Sequence, residues 1–483
     1  MTDDQGASKG AKTSASNNDW RAIFTGRLGL YNLLLNLGTG LFAINQFVVS
    51  TIMPTVVGDL GGMRYYAWTF ALFAVGAIIG AASSGPLREA FGDRGAFVGA
   101  SICLTAGLLG AALSDDMLVL IFWRFVQGLG GGGLGSQAYG LIAAMFPERL
   151  RGRVLSVLST VWGVATLLGP GYGGIFAEYD LWREAFASLV PLGLLTAWLA
   201  WRYVSQSEAH GKLSRLPYLR LILLAASVFV LSLTSQVDAT WLRIALVVAS
   251  IALAWIAFHR DARAEHRMFP RQVISLTTEV GAAYWMMLLF SIVSTFVNVY
   301  APLYLQRLHD LSPIVAGYLV AIPSLTWTVT AILVATLHGP KQTVAISAGV
   351  VLIFLGALGL AFTVVPGPIS AIVLFMSILG LGIGAMNNPT IQRTIQAVPD
   401  DEKHIAGTSV QTIRTIGISF GAAASGLIAV AAGLATDDAP REVLANAMQW
   451  VYGINVIFGV LTMLSLLPFL AGYRKRIAKT TSS

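Results

Sequence analysis

Arg124 is the residue with the strongest chemical consequence in this sequence, because it lies inside the apolar run 117–145. A charged side chain within a membrane helix costs roughly 2.5–3.5 kcal/mol on insertion scales, so it must face protein and find partners there. Six glycines follow within eight positions, which favours close packing on neighbouring helices. The spacing Gly128-x-Gly130-x-x-Gly133 also fits a dinucleotide-binding loop, but no strand precedes it, which excludes that interpretation.

Uncharged polar side chains form a second group, and they recur at steps of three and four residues in two other apolar runs. The first run carries Asn32, Asn36, Thr39, Gln46 and Ser50, and a later run carries Ser291, Ser294, Thr295 and Asn298. This spacing places each set on one face of a helix. Such a face lines a central cavity or forms helix–helix hydrogen bonds, and the same stripe in two runs favours the cavity.

Further polar residues in late apolar runs extend the candidate cavity, and they are Asn387, Asn388, Gln411 and Arg414. Arg414 lies about ten residues into its run, where it has a structural role or contacts an anionic group of a ligand. Aromatic side chains are candidates for apolar walls, with packing and lipid-interface positions as the alternative. These aromatic candidates are Trp68, Tyr139, Trp162, Tyr284, Trp285, Tyr300 and Trp327.

Composition places these groups in a membrane protein. Of the 483 residues, 55% are apolar and 11% are charged, whereas soluble proteins carry about 25% charged residues. Fourteen runs have the roughly 20 residues that a membrane helix requires, which predicts an all-α membrane fold. They lie near residues 30–57, 66–87, 95–114, 117–145, 153–177, 183–204, 217–235, 240–258, 279–304, 312–337, 342–364, 369–395, 405–433 and 446–472.

Basic residues are distributed unequally between the two sides of the predicted bundle. An even number of spans puts both termini on one side, and 23 of the 31 lysines and arginines lie on that side. Five lie on the other side and three lie inside spans. By the positive-inside rule, both termini are cytoplasmic in a plasma (inner) membrane. The net charge of +7 then contacts anionic lipid head groups and not nucleic acid.

Two long polar breaks, 205–216 and 259–275, bracket the seventh and eighth runs. Six helices, a two-helix insert and six more helices are therefore predicted, and paired bundles of this kind hold the substrate site of many secondary transporters between them. The predicted parts are a disordered cytoplasmic tail (1–27), a first bundle (28–204), the insert with its flanking segments (205–275), a second bundle (276–473) and a basic tail (474–483).

Two segments have residue types suited to conformational change. The loop after the second run contains Gly85, Glu89, Gly92 and Arg94. Its alternating charges indicate a latch between helix ends, with an ordinary basic loop as the alternative. The fifth run contains Gly163, Gly169, Pro170, Gly173 and Gly174. A proline kinks such a helix and glycines admit a neighbouring backbone, which indicates a hinge or seal, or a passive kink.

Together these segments resemble the major facilitator superfamily, and most closely its fourteen-helix drug:proton antiporter branch. Three of them are similar to signatures of that family: the loop 85–95, Arg124-x-x-Gln127-Gly128-x-Gly130, and Gly163 with Gly169-Pro170-x-x-Gly173-Gly174. The resemblance covers about residues 28–473. It implies the two-bundle fold, first helices of each half that line the cavity, and export by proton antiport.

The chain departs from the branch at Asn45, which occupies a position nine residues before Pro54 where the branch usually has an aspartate. An amide does not titrate, so proton coupling must use another group. No Asp or Glu lies deep in a span, and the remaining candidates are Glu89, Glu178 and Glu279, each of which is otherwise an interfacial charge. The loop departs as well, since Glu89 replaces an aspartate.

The sequence predicts a secondary active transporter that exports an amphipathic or lipophilic compound by alternating access, as a monomer and without a cofactor. No ATP-binding motif, metal-ligand cluster or nucleophile cluster occurs in the sequence, so an enzyme is not predicted. One alternative is a transporter for an anionic solute, a siderophore or a lipid, with Arg124 and Arg414 neutralising the cargo. A second is a membrane sensor or scaffold without transport.

Overall fold

The structure is a computed structural model that describes residues 20–206 and 217–481. These residues form helices joined by turns and short 3₁₀ segments, and no β-strand occurs among them. The predicted all-α membrane fold is therefore confirmed. Most of the predicted tail 1–27 and of the polar break 205–216 lies outside the described residues.

The first bundle contains six helices, of which the second and third are one helix, Trp68–Ala112, bent at Gly92. Gly92 has a φ of 74°, which glycine adopts without the strain that a side chain would add. We number these helices α1 (Gly26–Leu60), α2 (residues 68–91), α3 (residues 93–112), α4 (Met117–Met145), α5 (Glu148–Glu178) and α6 (Trp182–Tyr203).

The insert and the second bundle add eight helices. They are α7 (Tyr218–Leu233), α8 (Thr240–Ala262), α9 (Glu279–Arg307), α10 (Pro313–Val334), α11 (Pro340–Thr363), α12 (Ile369–Ala397), α13 (Lys403–Ala431) and α14 (Arg441–Thr481). The described residues thus contain fourteen spans, since one of thirteen continuous apolar segments, Met63–Ala112, has 50 residues and crosses twice. Helices alternate in direction, so α1 begins and α14 ends on one side, here called the terminal face.

Glycines bring α4 to backbone distance from its neighbours. A Cβ atom added at Gly132 would lie 2.6 Å from the Cα of Ala77 on α2, and one at Gly130 would lie 2.7 Å from the Ala100 oxygen on α3. The second bundle does the same, because a Cβ at Gly349 on α11 would lie 2.6 Å from the Gly382 oxygen on α12. These approaches leave no room for a side chain, as the glycine-rich run predicts.

The two bundles meet near the face opposite the terminal face. Ser50 Oγ on α1 donates to the Asn298 oxygen on α9 at 3.2 Å, and Gln306 Nε2 donates to the Thr51 oxygen at 3.3 Å. Beyond the helix ends, the Met63 backbone N–H donates to Asp437 Oδ1 at 2.7 Å. Polar and backbone contacts between the bundles are therefore concentrated at one end of the molecule.

The insert contacts both bundles. Trp68 Nε1 on α2 donates to Ser235 Oγ, just after α7, at 2.9 Å. At the terminal face, Arg267 after α8 pairs with the buried Glu402 before α13 at 2.5 Å. Asp261, buried at the end of α8, pairs with Arg220 of α7 and accepts backbone N–H groups of the following segment. The insert is thus tied to the first bundle at one face and to the second at the other.

Candidate functional site

Arg124 belongs to a buried hydrogen-bond cluster in the first bundle that is centred on Gln127, and only 1% of Arg124 is exposed. Its Nη1 donates to Gln127 Oε1, which also accepts from Asn45 Nδ2 on α1 at 3.1 Å. Gln127 Nε2 donates to the Gly107 oxygen on α3 at 2.9 Å. The cluster therefore joins α1, α3 and α4, although Arg124 Nε and Asn45 Oδ1 are left without partners.

Aromatic rings complete the surroundings of Arg124. Its guanidinium lies 4.1 Å from the centroid of the Phe73 ring on α2, a distance suited to a cation–π contact. Phe42 on α1 stacks on Phe73 at 5.9 Å and meets Trp162 on α5 edge-on at 6.0 Å. Sequence reasoning identified Trp162 as a candidate wall but missed Phe42 and Phe73, because phenylalanine in an apolar run carries no signal of its own.

Arg414 lies inside α13 of the second bundle, and its contacts are looser than those of Arg124. Its guanidinium lies 5.1 Å from the Trp327 ring on α10 and 5.6 Å from the Phe290 ring on α9. Its hydrogen bond to Gln411 Oε1 is long, at 3.4 Å, and its Nε has no partner. Within the part of the chain that the structure describes, no carboxylate lies within ion-pair distance of Arg124 or Arg414.

The polar stripes of α1 and α9 make hydrogen bonds within each helix and touch each other at Ser50 and Asn298. Asn36 Nδ2 donates to Asn32 Oδ1 at 2.8 Å, and Asn298 Nδ2 donates to Ser294 Oγ at 3.3 Å. Thr39 is buried, Gln46 is half-buried, and Ser50 contacts Asn298 as described above. Most of α9 is buried, yet the Asn298 side chain is exposed, so that exposure opens onto space inside the molecule.

The candidates on α12 and α13 lie in the halves of those helices nearer the terminal face. Asn387 is buried and donates through Nδ2 to Asn388 Oδ1 at 3.1 Å, and Asn388 is exposed. Gln411 is exposed as well. The exposed amides occur inside apolar spans, which indicates that they face an opening between the bundles and not lipid.

The segment 169–174 of α5 lies where the two bundles meet. Added Cβ atoms at Gly169 and Gly173 would lie 2.5 Å from Phe47 Cβ and 3.0 Å from Val48 Cα, both on α1. One at Gly174 would lie 2.6 Å from Ile314 Cα on α10, and Pro170 packs against Gly317 there. Gly163 has open space around it. The segment 169–174 is therefore packed between α1 and α10, and we call this contact the seam.

The segment 85–95, predicted to be a loop, is helical on both sides of the bend at Gly92, and it contains an ion pair that the sequence pattern did not specify. Arg88 Nε lies 2.6 Å from Asp93 Oδ1, and Arg94 Nε donates to the Val204 oxygen at the end of α6 at 2.8 Å. Gly85 is exposed and has open space around it, and the side chain of Glu89 is exposed. The segment thus links the end of α2 and the start of α3 to α6 at the terminal face.

The candidate proton carriers have different environments. Glu279 is buried at the start of α9 and accepts two hydrogen bonds from Arg476 of α14, at 2.8 and 3.0 Å. Glu178 is exposed at the end of α5, as Glu89 is at the terminal face. The Glu279–Arg476 pair joins residues 197 positions apart, so its only sequence signal was the basic C-terminal segment.

Comparisons with known proteins agree with this architecture. A family model described as Major Facilitator Superfamily matches residues 35–422. The chain is 29% identical over 433 residues to a probable multidrug-efflux transporter of Mycobacterium tuberculosis (strain ATCC 25618 / H37Rv). The alignment covers 86% of this chain and 91% of that protein. It is 25% identical over 412 residues to multidrug resistance protein 3 of Bacillus subtilis (strain 168), with 82% and 78% covered.

Solved structures show the same fold. A D-xylose–proton symporter superposes with a TM-score of 0.63 at 16% identity, and the match covers 92% of this chain and 97% of that one. At this identity the likeness concerns the arrangement of helices and not the cargo.

Proposed function

The chain belongs to the Major Facilitator Superfamily, and on that premise we propose that it exports an amphipathic or lipophilic organic compound by alternating access. Membership confirms the family predicted from the motifs. It also identifies a multi-pass membrane transporter of small molecules and not an enzyme. Two relatives that are named for multidrug efflux or resistance support outward movement of the cargo.

The packing at the seam is the main observation that supports this proposal. It closes the space between the bundles at the face opposite the terminal face, where the Asn298 backbone accepts a hydrogen bond from Ser50. The exposed amides of Asn388 and Gln411 lie in the halves of α12 and α13 nearer the terminal face. A cargo then enters from the terminal face and leaves after the seam opens. The amides make this space polar, and aromatic rings line part of it. No Asp or Glu lies in the middle of any described span, so the space is free of carboxylates.

We further propose that both termini are cytoplasmic in the plasma (inner) membrane, that the chain works as a monomer, and that export is coupled to protons. The excess of basic residues on the terminal face supports the orientation. Glu279 accepts two hydrogen bonds from Arg476, which leaves the exposed Glu89 and Glu178 as the remaining proton-coupling candidates.

The direct test is transport of a fluorescent amphipathic dye in proteoliposomes whose pH gradient and membrane potential are clamped separately. We expect dye movement that accelerates when the gradient drives protons toward the terminal face. Movement that ignores an imposed pH gradient would remove proton coupling, and no movement of any amphipathic probe would remove the export proposal.

An anionic amphipath is the second candidate cargo, and the environment of Arg414 favours it. This guanidinium has no carboxylate partner, makes one long hydrogen bond, and lies between two aromatic rings, so it can accept an anionic group attached to a flat apolar body. Competition between anionic and neutral analogues of one dye distinguishes the two candidates.

A further inference from the structure

A groove outside the transport pathway lies between the beginning of α11 and the end of α14, at the terminal face. It encloses about 590 Å³. Its wall changes character with depth: Thr343, Ser347, Tyr473 and Arg474 lie near the helix ends, and Val351 and Leu470 lie closer to the middle of the membrane. Val344, on the same wall, is 67% exposed, so the groove opens sideways onto the apolar surface of the bundle.

The polar end of this α11–α14 groove is cationic. Arg474 lines it and is exposed, and the exposed Lys341 lies in the first turn of α11. The one carboxylate of α9 in this region, Glu279, is bound by two hydrogen bonds from Arg476 and therefore does not neutralise Arg474. An anionic group at this end would meet uncompensated positive charge.

Another arginine, Arg393, is buried behind the wall of the groove and contacts side chains of both helices that form it. Arg393 on α12 is 1% exposed, donates through Nη2 to Thr343 Oγ1 at 2.7 Å, and lies 3.8 Å from the centroid of the Tyr473 ring. Both contacted side chains line the groove. The Nη1 of Arg393 has no hydrogen-bond partner. This buried cation holds one residue from each wall and adds positive potential to the polar end.

We propose that the α11–α14 groove binds one anionic glycerophospholipid of the membrane leaflet at the terminal face. The phosphate lies near Arg474 and the hydroxyls of Thr343 and Ser347, and an acyl chain lies against Val351 and Leu470. The depth-dependent wall fits a lipid, which has a charged head and an apolar chain. A soluble anion would use only the polar end, and the sideways opening leads to lipid and not to water.

The test uses the full chain purified in detergent and titrated with phosphatidylglycerol or with phosphatidylcholine of the same acyl chains. Native mass spectrometry counts bound lipid, and thermal unfolding reports the stabilisation that binding produces. We expect one phosphatidylglycerol to bind about tenfold more tightly than phosphatidylcholine. Both lipids carry the phosphate, but the choline cation of phosphatidylcholine would be repelled by Arg474 and Lys341 at the polar end.

Variants locate the site. Arg474→Gln should abolish the preference for phosphatidylglycerol, and Ser347→Leu, which fills the groove, should lower binding of both lipids. Lys475→Gln is the matched control, because Lys475 is the exposed neighbour of Arg474 and does not line the groove. Equal losses in Arg474→Gln and Lys475→Gln would show a diffuse basic belt and overturn the proposal. Equal stabilisation by inorganic phosphate alone would also overturn it, since the apolar wall would then contribute nothing.

Discussion

Two arginines inside spans, Arg124 and Arg414, differ in how their charge is held. Arg124 is buried, and Gln127 ties it to Asn45 and to the backbone of α3. Arg414 makes one long hydrogen bond and lies between the rings of Phe290 and Trp327. The guanidinium of Arg124 is therefore held by protein groups, whereas that of Arg414 can still bind a ligand. An arginine in an apolar run is therefore not by itself a binding residue.

The largest effect should come from removing the centre of the Arg124 cluster. Gln127→Leu removes three hydrogen bonds and leaves buried donors on Arg124 and Asn45. It should lower the free energy of unfolding by about 3 kcal/mol, because each buried unpaired polar group costs roughly 1–3 kcal/mol. Thermal unfolding of the purified protein measures this loss. Gln411→Leu is the matched control in the second bundle, and similar destabilisation in both variants would erase the distinction between the clusters.

The seam joins the bundles that hold the two arginines, and enlarging Gly174 should open it. A leucine there would overlap Ile314 on α10, and overpacking of this kind costs about 1–3 kcal/mol in the closed state. In a Cys103→Ser background, a cysteine introduced by Asn298→Cys should react faster with an impermeant reagent added at the face opposite the termini. Gly163→Leu is the control because open space surrounds Gly163. Equal labelling in both variants would contradict a sealing role for the segment 169–174.

If Arg414 binds an anionic ligand, replacing it should affect transport of an anionic probe more than transport of a neutral one. Arg414→Gln should weaken transport of an anionic aromatic probe about tenfold, about 1.4 kcal/mol, and leave its neutral analogue nearly unchanged. Initial rates in vesicles at several probe concentrations separate binding from turnover. If both probes lose rate equally, Arg414 is a structural residue like Arg124, and the second candidate cargo is removed.

The smallest effect concerns Asn45, whose Oδ1 has no partner in the Arg124 cluster. A carboxylate from Asn45→Asp would pair with Arg124 only while ionised, so it should stabilise the protein by about 1 kcal/mol near neutral pH. That gain should disappear as the pH falls and the group is protonated. Thermal unfolding across pH measures it against the parent, which lacks this group. A pH-independent difference between the two proteins would show that the carboxylate does not ionise in the cluster.

The amino-acid sequence determined the membrane class, the fourteen spans and the family, because these depend on run length, apolar content and glycine or proline spacing within single segments. The polar candidates of α1, α9, α12 and α13 could be selected in the same way, since helical periodicity assigns a face from local sequence alone.

Only the tertiary structure decided which partners those side chains have. Asn45 lies 82 positions from Gln127, and Glu279 lies 197 positions from Arg476, so no local pattern couples them. The same holds for the seam, where Gly174 meets Ile314, and for the groove between α11 and α14. Helical periodicity indicates on which face of its own helix a residue lies. Which other helix packs against that face depends on the whole fold. That packing distinguishes Arg124, bound in the protein, from Arg414.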